Sequence, residues 1–185
     1  MPVSTQIAVI NAALTHAFDQ LAAWFEAPAA VRAHRPAQGG WTIDEILEHV
    51  GLTNHYLLIL IEKAADKALR NPHGLDLATE LARPGADAAR LQAIGQHRSF
   101  AWVRPAHMEP TGTTPPAEVA ALLREQLHRC QLVLARLPNG EGVLHRTTMS
   151  VNELGKLDVY ELVHFLAQHA ARHLTQIERA AAEVA

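Results

Sequence analysis

The chain has 185 residues, which at ~150 residues per domain corresponds to one domain, with room to bury a core without disulfides or structural metals. Apolar residues make up 49% and charged residues 19%, which excludes a disordered chain. A net charge of −3 with no basic block argues against a nucleic-acid binder that works by neutralising phosphates.

The single cysteine, Cys130, cannot form an internal disulfide. No amino-terminal basic stretch leads into an apolar run, and no run of 18 apolar residues occurs. The expectation is a cytoplasmic protein with no signal peptide and no membrane span, folded as one domain over residues 1–185. Aromatic residues are only 5%, so the core is aliphatic, while the 12 histidines exceed what a core needs.

Four segments carry a helical period. The first runs from about Ser4 to Glu26, with Ile7, Ile10, Leu14, Phe18, Leu21 and Phe25 on one stripe, and Pro28 ends it. The second starts at Thr42, which forms a capping box with Glu45, and continues through Ile46, Val50, Leu57 and Ile61 to Asn71-Pro72. Residues 75–81 and 86–94 are short helix candidates on either side of Pro84-Gly85, within a connection too long for a tight turn. The third helix starts at Thr114-Pro115, read as N-cap and first helical position, and ends before Pro138-Asn139-Gly140. The fourth starts at Asp158, with Glu161 completing a second capping box. Residues 143–149 are the only strand candidate, and Gly155 breaks the stretch after it. This pattern predicts an all-α four-helix bundle with a long crossover connection between its second and third helices.

His169 and His173 lie four apart on the same stripe as Leu162 and Leu166. They differ by about 40° around a helix. Twelve histidines in 185 residues give about 0.8 such pairs by chance, so the apolar face rather than the spacing carries the signal. Two imidazoles in an apolar stripe need polar partners, and a shared metal ion satisfies both. His49, in the most apolar helix beside Ile46 and Val50, is the best third ligand; a core histidine bonded to a backbone carbonyl explains it equally well. His164 faces away from the pair.

The stretch Gly40-Trp41-Thr42-Ile43-Asp44-Glu45-Ile46-Leu47-Glu48-His49 resembles the first motif of the DinB/YfiT-like superfamily, in which Trp-Ser/Thr leads into a helix carrying a metal histidine. His169-Ala170-Ala171-Arg172-His173-Leu174-Thr175-Gln176-Ile177 resembles its last motif, H-x-x-x-H followed by Gln-Ile. The resemblance spans the whole chain. It implies a four-helix bundle with a three-histidine metal site at His49, His169 and His173. It also implies chemistry like that of characterised members, which include thiol-dependent S-transferases and maleylpyruvate isomerases that use low-molecular-weight thiols. It does not imply DNA binding.

Three imidazoles with an open position suit a divalent transition metal, Zn²⁺ first, with Ni²⁺ or Fe²⁺ as alternatives. Such a site lowers the pKa of bound water toward ~7 or holds a thiolate. The position after His169 is Ala170, not the Glu of an H-E-x-x-H metalloprotease helix, so no general base is identified. Glu45 reads either as a cap or as a partner of the ligand histidine, Gln176 as a cavity donor or a packing residue, and Trp41 as lining the site mouth or anchoring its helix. Arg172 reads as facing away, Cys130 as a buried structural thiol, and residues 102–110 as a packed connection or a lid. Two functions are compatible with these residues: a metal-dependent enzyme acting on a small molecule by thiol transfer, isomerisation or hydrolysis, or a non-catalytic bundle that binds metal or a small molecule. A homodimer through the wide apolar faces is expected as often as a monomer.

Overall fold

The computed structural model describes residues 1–101 and 105–184. The chain is mostly helical. In order it forms α1 (Val3–Ala23), α2 (Ala29–Arg32), α3 (Ile43–Arg70), α4 (Leu77–Ala82), α5 (Ala88–Ala93), α6 (Pro116–Ala135), a two-stranded ribbon of β1 (Thr147–Met149) and β2 (Gly155–Leu157), and α7 (Val159–Ala181). Each of the four long helices packs on two others: α1 on α7 and α6, and α3 on α6 and α7. Ile10, Leu14, Phe18 and Leu21 of α1 meet Ile46, Val50 and Ile61 of α3, Leu123 and Val133 of α6, and Leu162 and Leu166 of α7 in one apolar core. Among the described residues, no helix is long and apolar enough to cross a membrane.

The starts of α3 and α7 follow from local chemistry. Thr42 Oγ1 accepts from the Glu45 amide at 3.2 Å while Glu45 Oε2 accepts from the Thr42 amide at 2.8 Å. Asp158 and Glu161 repeat the exchange at 2.9 and 2.8 Å. Each box satisfies two amides that a helix leaves without intrahelical acceptors. At its other end α3 stops at Asn71, which takes the left-handed conformation at φ 41° and ties its side chain to Leu75 at 2.9 and 2.8 Å.

Two elements differ from expectation. α6 begins at Pro116 with Pro115 before it, not at Thr114-Pro115, because the Thr114 hydroxyl does not cap the helix; it donates to Glu48 Oε1 at 2.8 Å. Gly155 does not break a strand but opens one: at φ 73° it starts β2, and Met149 pairs with it as Thr147 pairs with Leu157. The ribbon returns the chain directly to Asp158 and the start of α7.

Tyr160, in the first turn of α7, fixes that start against the end of α6. Its buried hydroxyl donates to the Leu137 carbonyl at 2.5 Å and accepts from the Gly142 amide at 3.3 Å. A β-carbon at Gly142 would sit 2.6 Å from the Tyr160 ring, so only glycine permits this approach. Cys130 is fully buried on α6, and burial pushes its thiol up to about 12, which leaves it un-ionised and inert at neutral pH. Tyr160→Phe leaves the Leu137 carbonyl and the Gly142 amide without this partner. It is expected to destabilise the protein by about 1–3 kcal/mol, a Tm drop of several degrees with helix content unchanged by circular dichroism. An unchanged Tm would show that the hydroxyl does not anchor α7.

Candidate metal centre

α7 carries His169 and His173 on the face it turns to the core, where they are 1% and 7% exposed. Their Nε2 atoms lie 3.1 Å apart. His173 Nδ1 is 3.0 Å from Gln176 Oε1, one turn on. Since an amide oxygen only accepts, His173 carries its proton on Nδ1, and its Nε2 lone pair points at His169. The 3.1 Å contact is then bridged by a proton from His169 Nε2 or by one ion that both nitrogens share.

α3 supplies His49, 4% exposed, whose ring centre is 5.5 Å from that of His169 and 4.8 Å from that of His173. Its Nδ1 donates to the Met108 carbonyl at 2.6 Å, which turns Nε2 to the other two rings. The two readings of His49 left open by the sequence therefore coexist: the ring is bonded to a backbone carbonyl and also faces the pair. Glu48, the preceding residue, holds the same connection. Its carboxylate accepts from the Thr111 and Thr114 hydroxyls and the Gly112 amide, each at 2.8 Å. Burial opposes ionisation of Glu48, yet these hydrogen bonds hold its carboxyl below the usual range. Glu45, by contrast, caps α3 and pairs with Arg35 at 2.6 Å, and does not serve the histidines.

One ligand atom from each of the three histidines falls within a 4.8 Å span. A shared ion with bonds of ~2.1 Å places two donors at most ~4.2 Å apart, so a small rotation of one ring closes the set. The histidines floor a cavity of about 270 Å³ whose walls are Gly40, Trp41, Arg172 and Gln176. The Trp41 ring lies 4.7 Å from His49. Arg172 corrects the expectation from sequence: it lines the cavity. It lies three residues after His169, about 60° around the helix, and a side chain of that length crosses the remaining distance. His164 bonds to Gln168 at 2.9 Å and stays outside the cavity. Within the segment read as a packed connection or a lid, residues 102–104 lie outside the described residues; His107 meets Tyr56 edge-on, 4.4 Å between ring centres, and Met108 accepts from His49, so the described part is a packed connection that braces His49.

Burial, and then the neighbouring His173, His49 and Arg172, hold His169 well below its ordinary value. Burial, with His49 beside it, lowers His173 to about 3. Both imidazoles are therefore neutral at pH 7 with lone pairs available to an ion. In the native state they bind fewer protons than in the unfolded chain from about pH 6.5 down to about 3, so their stabilising contribution is complete above 6.5 and is lost as pH falls. Asp158 acts in the opposite sense: burial and the adjacent Glu161 raise it to about 7, so its contribution declines as pH rises. Comparison with His173→Gln isolates the site. In chelator, wild type is expected to lose stability relative to this variant by about 1.4 kcal/mol per pH unit below pH 6.5. A pH-independent difference in denaturant titrations would refute the neutral, desolvated imidazole.

No curated protein and no solved structure matches the chain. The model of one family, the DinB superfamily, matches residues 12–177, which takes in α3 and α6 whole, most of α7, the second half of α1 and all three histidines. By that match, the chain belongs to the DinB superfamily.

Proposed function

We propose that this protein is a metal-dependent enzyme of the DinB superfamily that acts on a small molecule through thiol transfer or isomerisation. The observation that supports this reading is the convergence of three buried histidines on the floor of an open cavity, within a 4.8 Å span. In this reading the four long helices form a bundle, one domain over residues 1–185, and His49, His169 and His173 hold one divalent transition metal. A bound ion supplies Lewis acidity and favours a thiol in its thiolate form at neutral pH.

The residues around the ion have separate tasks. The Met108 carbonyl and Gln176 fix the tautomers of His49 and His173, so that both present Nε2. Trp41 covers His49 at 4.7 Å and limits water on that side. Thiol chemistry fits better than hydrolysis because, among the described residues, no carboxylate lines the cavity to take a proton from water: Glu45 is spent in a cap and Glu48 is engaged by residues 111–114. A thiol loses its proton far more easily than water and does not need that base.

The test is elemental analysis of purified protein beside a panel of low-molecular-weight thiols with electrophiles. About one equivalent of metal per chain is expected. His49→Ala, His169→Ala and His173→Ala should each lower occupancy at least tenfold, whereas His164→Ala should leave it within twofold of wild type. Metal bound with no turnover on any thiol or hydrolytic substrate would favour a binding protein over an enzyme. Equal occupancy in His49→Ala and wild type would dismantle the three-histidine site.

A further inference from the structure

We infer that Glu48 is a positioning residue for His49: its carboxylate anchors the connection at residues 111–114, so that the Met108 carbonyl holds the His49 ring with Nε2 turned to His169 and His173. The inference rests on the reading of those three imidazoles as a metal site, but its first readout needs no metal.

Glu48 is buried and is not part of the cavity wall, so its effect on the site passes through its neighbours. Three donors meet its carboxylate at 2.8 Å: the Thr111 and Thr114 hydroxyls on one oxygen and the Gly112 amide on the other. Gly112 takes φ 70°, where any side chain is strained, and a β-carbon there would lie 3.2 Å from Glu45 Oε1. Thr114 stands two residues before α6, which itself packs on α3.

Only Glu109 and Pro110 separate this clamp from Met108. Proline fixes its own φ, and residues 105–109 form a turn closed by the Met108 amide on the Pro105 carbonyl and the Glu109 amide on the Ala106 carbonyl, each at 3.0 Å. Little slack is left between Thr111 and the Met108 carbonyl, which accepts from His49 Nδ1 at 2.6 Å. The clamp therefore sets where that carbonyl stands.

A neutral imidazole carries one proton and one lone pair on its two nitrogens, and the bond made at one nitrogen decides which is which. With the proton held on Nδ1 by Met108, the lone pair of His49 is on Nε2. When the carbonyl moves away, the Nε2–H form competes, and a ring in that form has no lone pair there for an ion. Loss of such a partner lowers metal affinity by about 10–100-fold. His173 has its own acceptor in Gln176 and does not depend on the clamp.

The test compares full-length wild type with Glu48→Ala, Glu48→Gln and the double variant Thr111→Val with Thr114→Val. Glutamine keeps the clamp without the charge: its carbonyl accepts from the Gly112 amide and its amide donates to the threonine hydroxyls. Imidazole nitrogen chemical shifts of the metal-free proteins at neutral pH report the tautomers, and Co²⁺ titrations report affinity. Glu48→Ala and the double variant are expected to move His49 from Nδ1–H toward Nε2–H, to leave His173 as Nδ1–H, and to weaken Co²⁺ binding about tenfold or more. Glu48→Gln should keep the wild-type tautomer and an affinity within about threefold of wild type. His49 in the same tautomer in wild type and Glu48→Ala would overturn the inference, whatever the loss of stability. So would a tautomer shift that leaves Co²⁺ affinity unchanged, or equal losses in Glu48→Gln and Glu48→Ala, which would assign the effect to charge. If Glu48→Ala does not fold, the double variant decides by the same shift. Failure of wild type to bind Co²⁺ would refute the metal site, and the nitrogen shifts alone then decide whether Glu48 positions His49.

Discussion

The desolvation of three imidazoles is the constraint that organises this protein. His169 occupies a core position on α7 where an aliphatic side chain would gain about 1.5–3 kcal/mol by burial. The imidazole there needs polar partners and must stay neutral, since a charge so deeply buried beside two other rings is strongly disfavoured. The surroundings answer that need. Gln176 takes the outer proton of His173, Met108 takes that of His49, and the inner nitrogens are left facing one another. An arrangement costly as plain packing is well suited to coordination.

The connection between α3 and α6 then reads as part of the centre rather than as a strap. Consecutive residues of α3, Glu48 and His49, grip it at residues 111–114 and at Met108. Adjacent positions on a helix point about 100° apart, so the two grips approach the connection from different sides. A displaced segment there would both free the His49 proton and strand the Glu48 carboxylate. The same carboxylate draws the Thr114 hydroxyl away from capping, which is why α6 starts at Pro116.

The features legible from residues alone were those that local chemistry decides. The capping boxes at Thr42 and Asp158 mark helix starts because both partners lie within four residues. The histidine pair stood out because its period matched the apolar stripe of α7, and His49 because its neighbours are Ile46 and Val50. The Met108 carbonyl left no trace in sequence, since every residue carries one and this one lies 59 positions from its donor. Arg172 misled because a helical wheel locates Cα directions and not the end of a long side chain. Gly155 looks like a breaker in the sequence, yet its freedom at positive φ is the property that lets β2 begin there.

The ribbon and Tyr160 fix where α7 begins, and His49 stands on the far side of the long connection from α7. The unfolded chain therefore holds only the His169–His173 pair at short range; the third donor must wait for the connection to return. Closing a loop of that length carries an entropic cost that grows only slowly with its size, but the closure has to precede the contacts that reward it. For an ion held by the three histidines, assembly order would separate two affinities: a weak bidentate grip while the chain is still unfolded, and a tight tridentate one once α3 docks on α7. An ion that preferred the complete set would favour the native state and so would link metal supply to folding yield through the same three nitrogens.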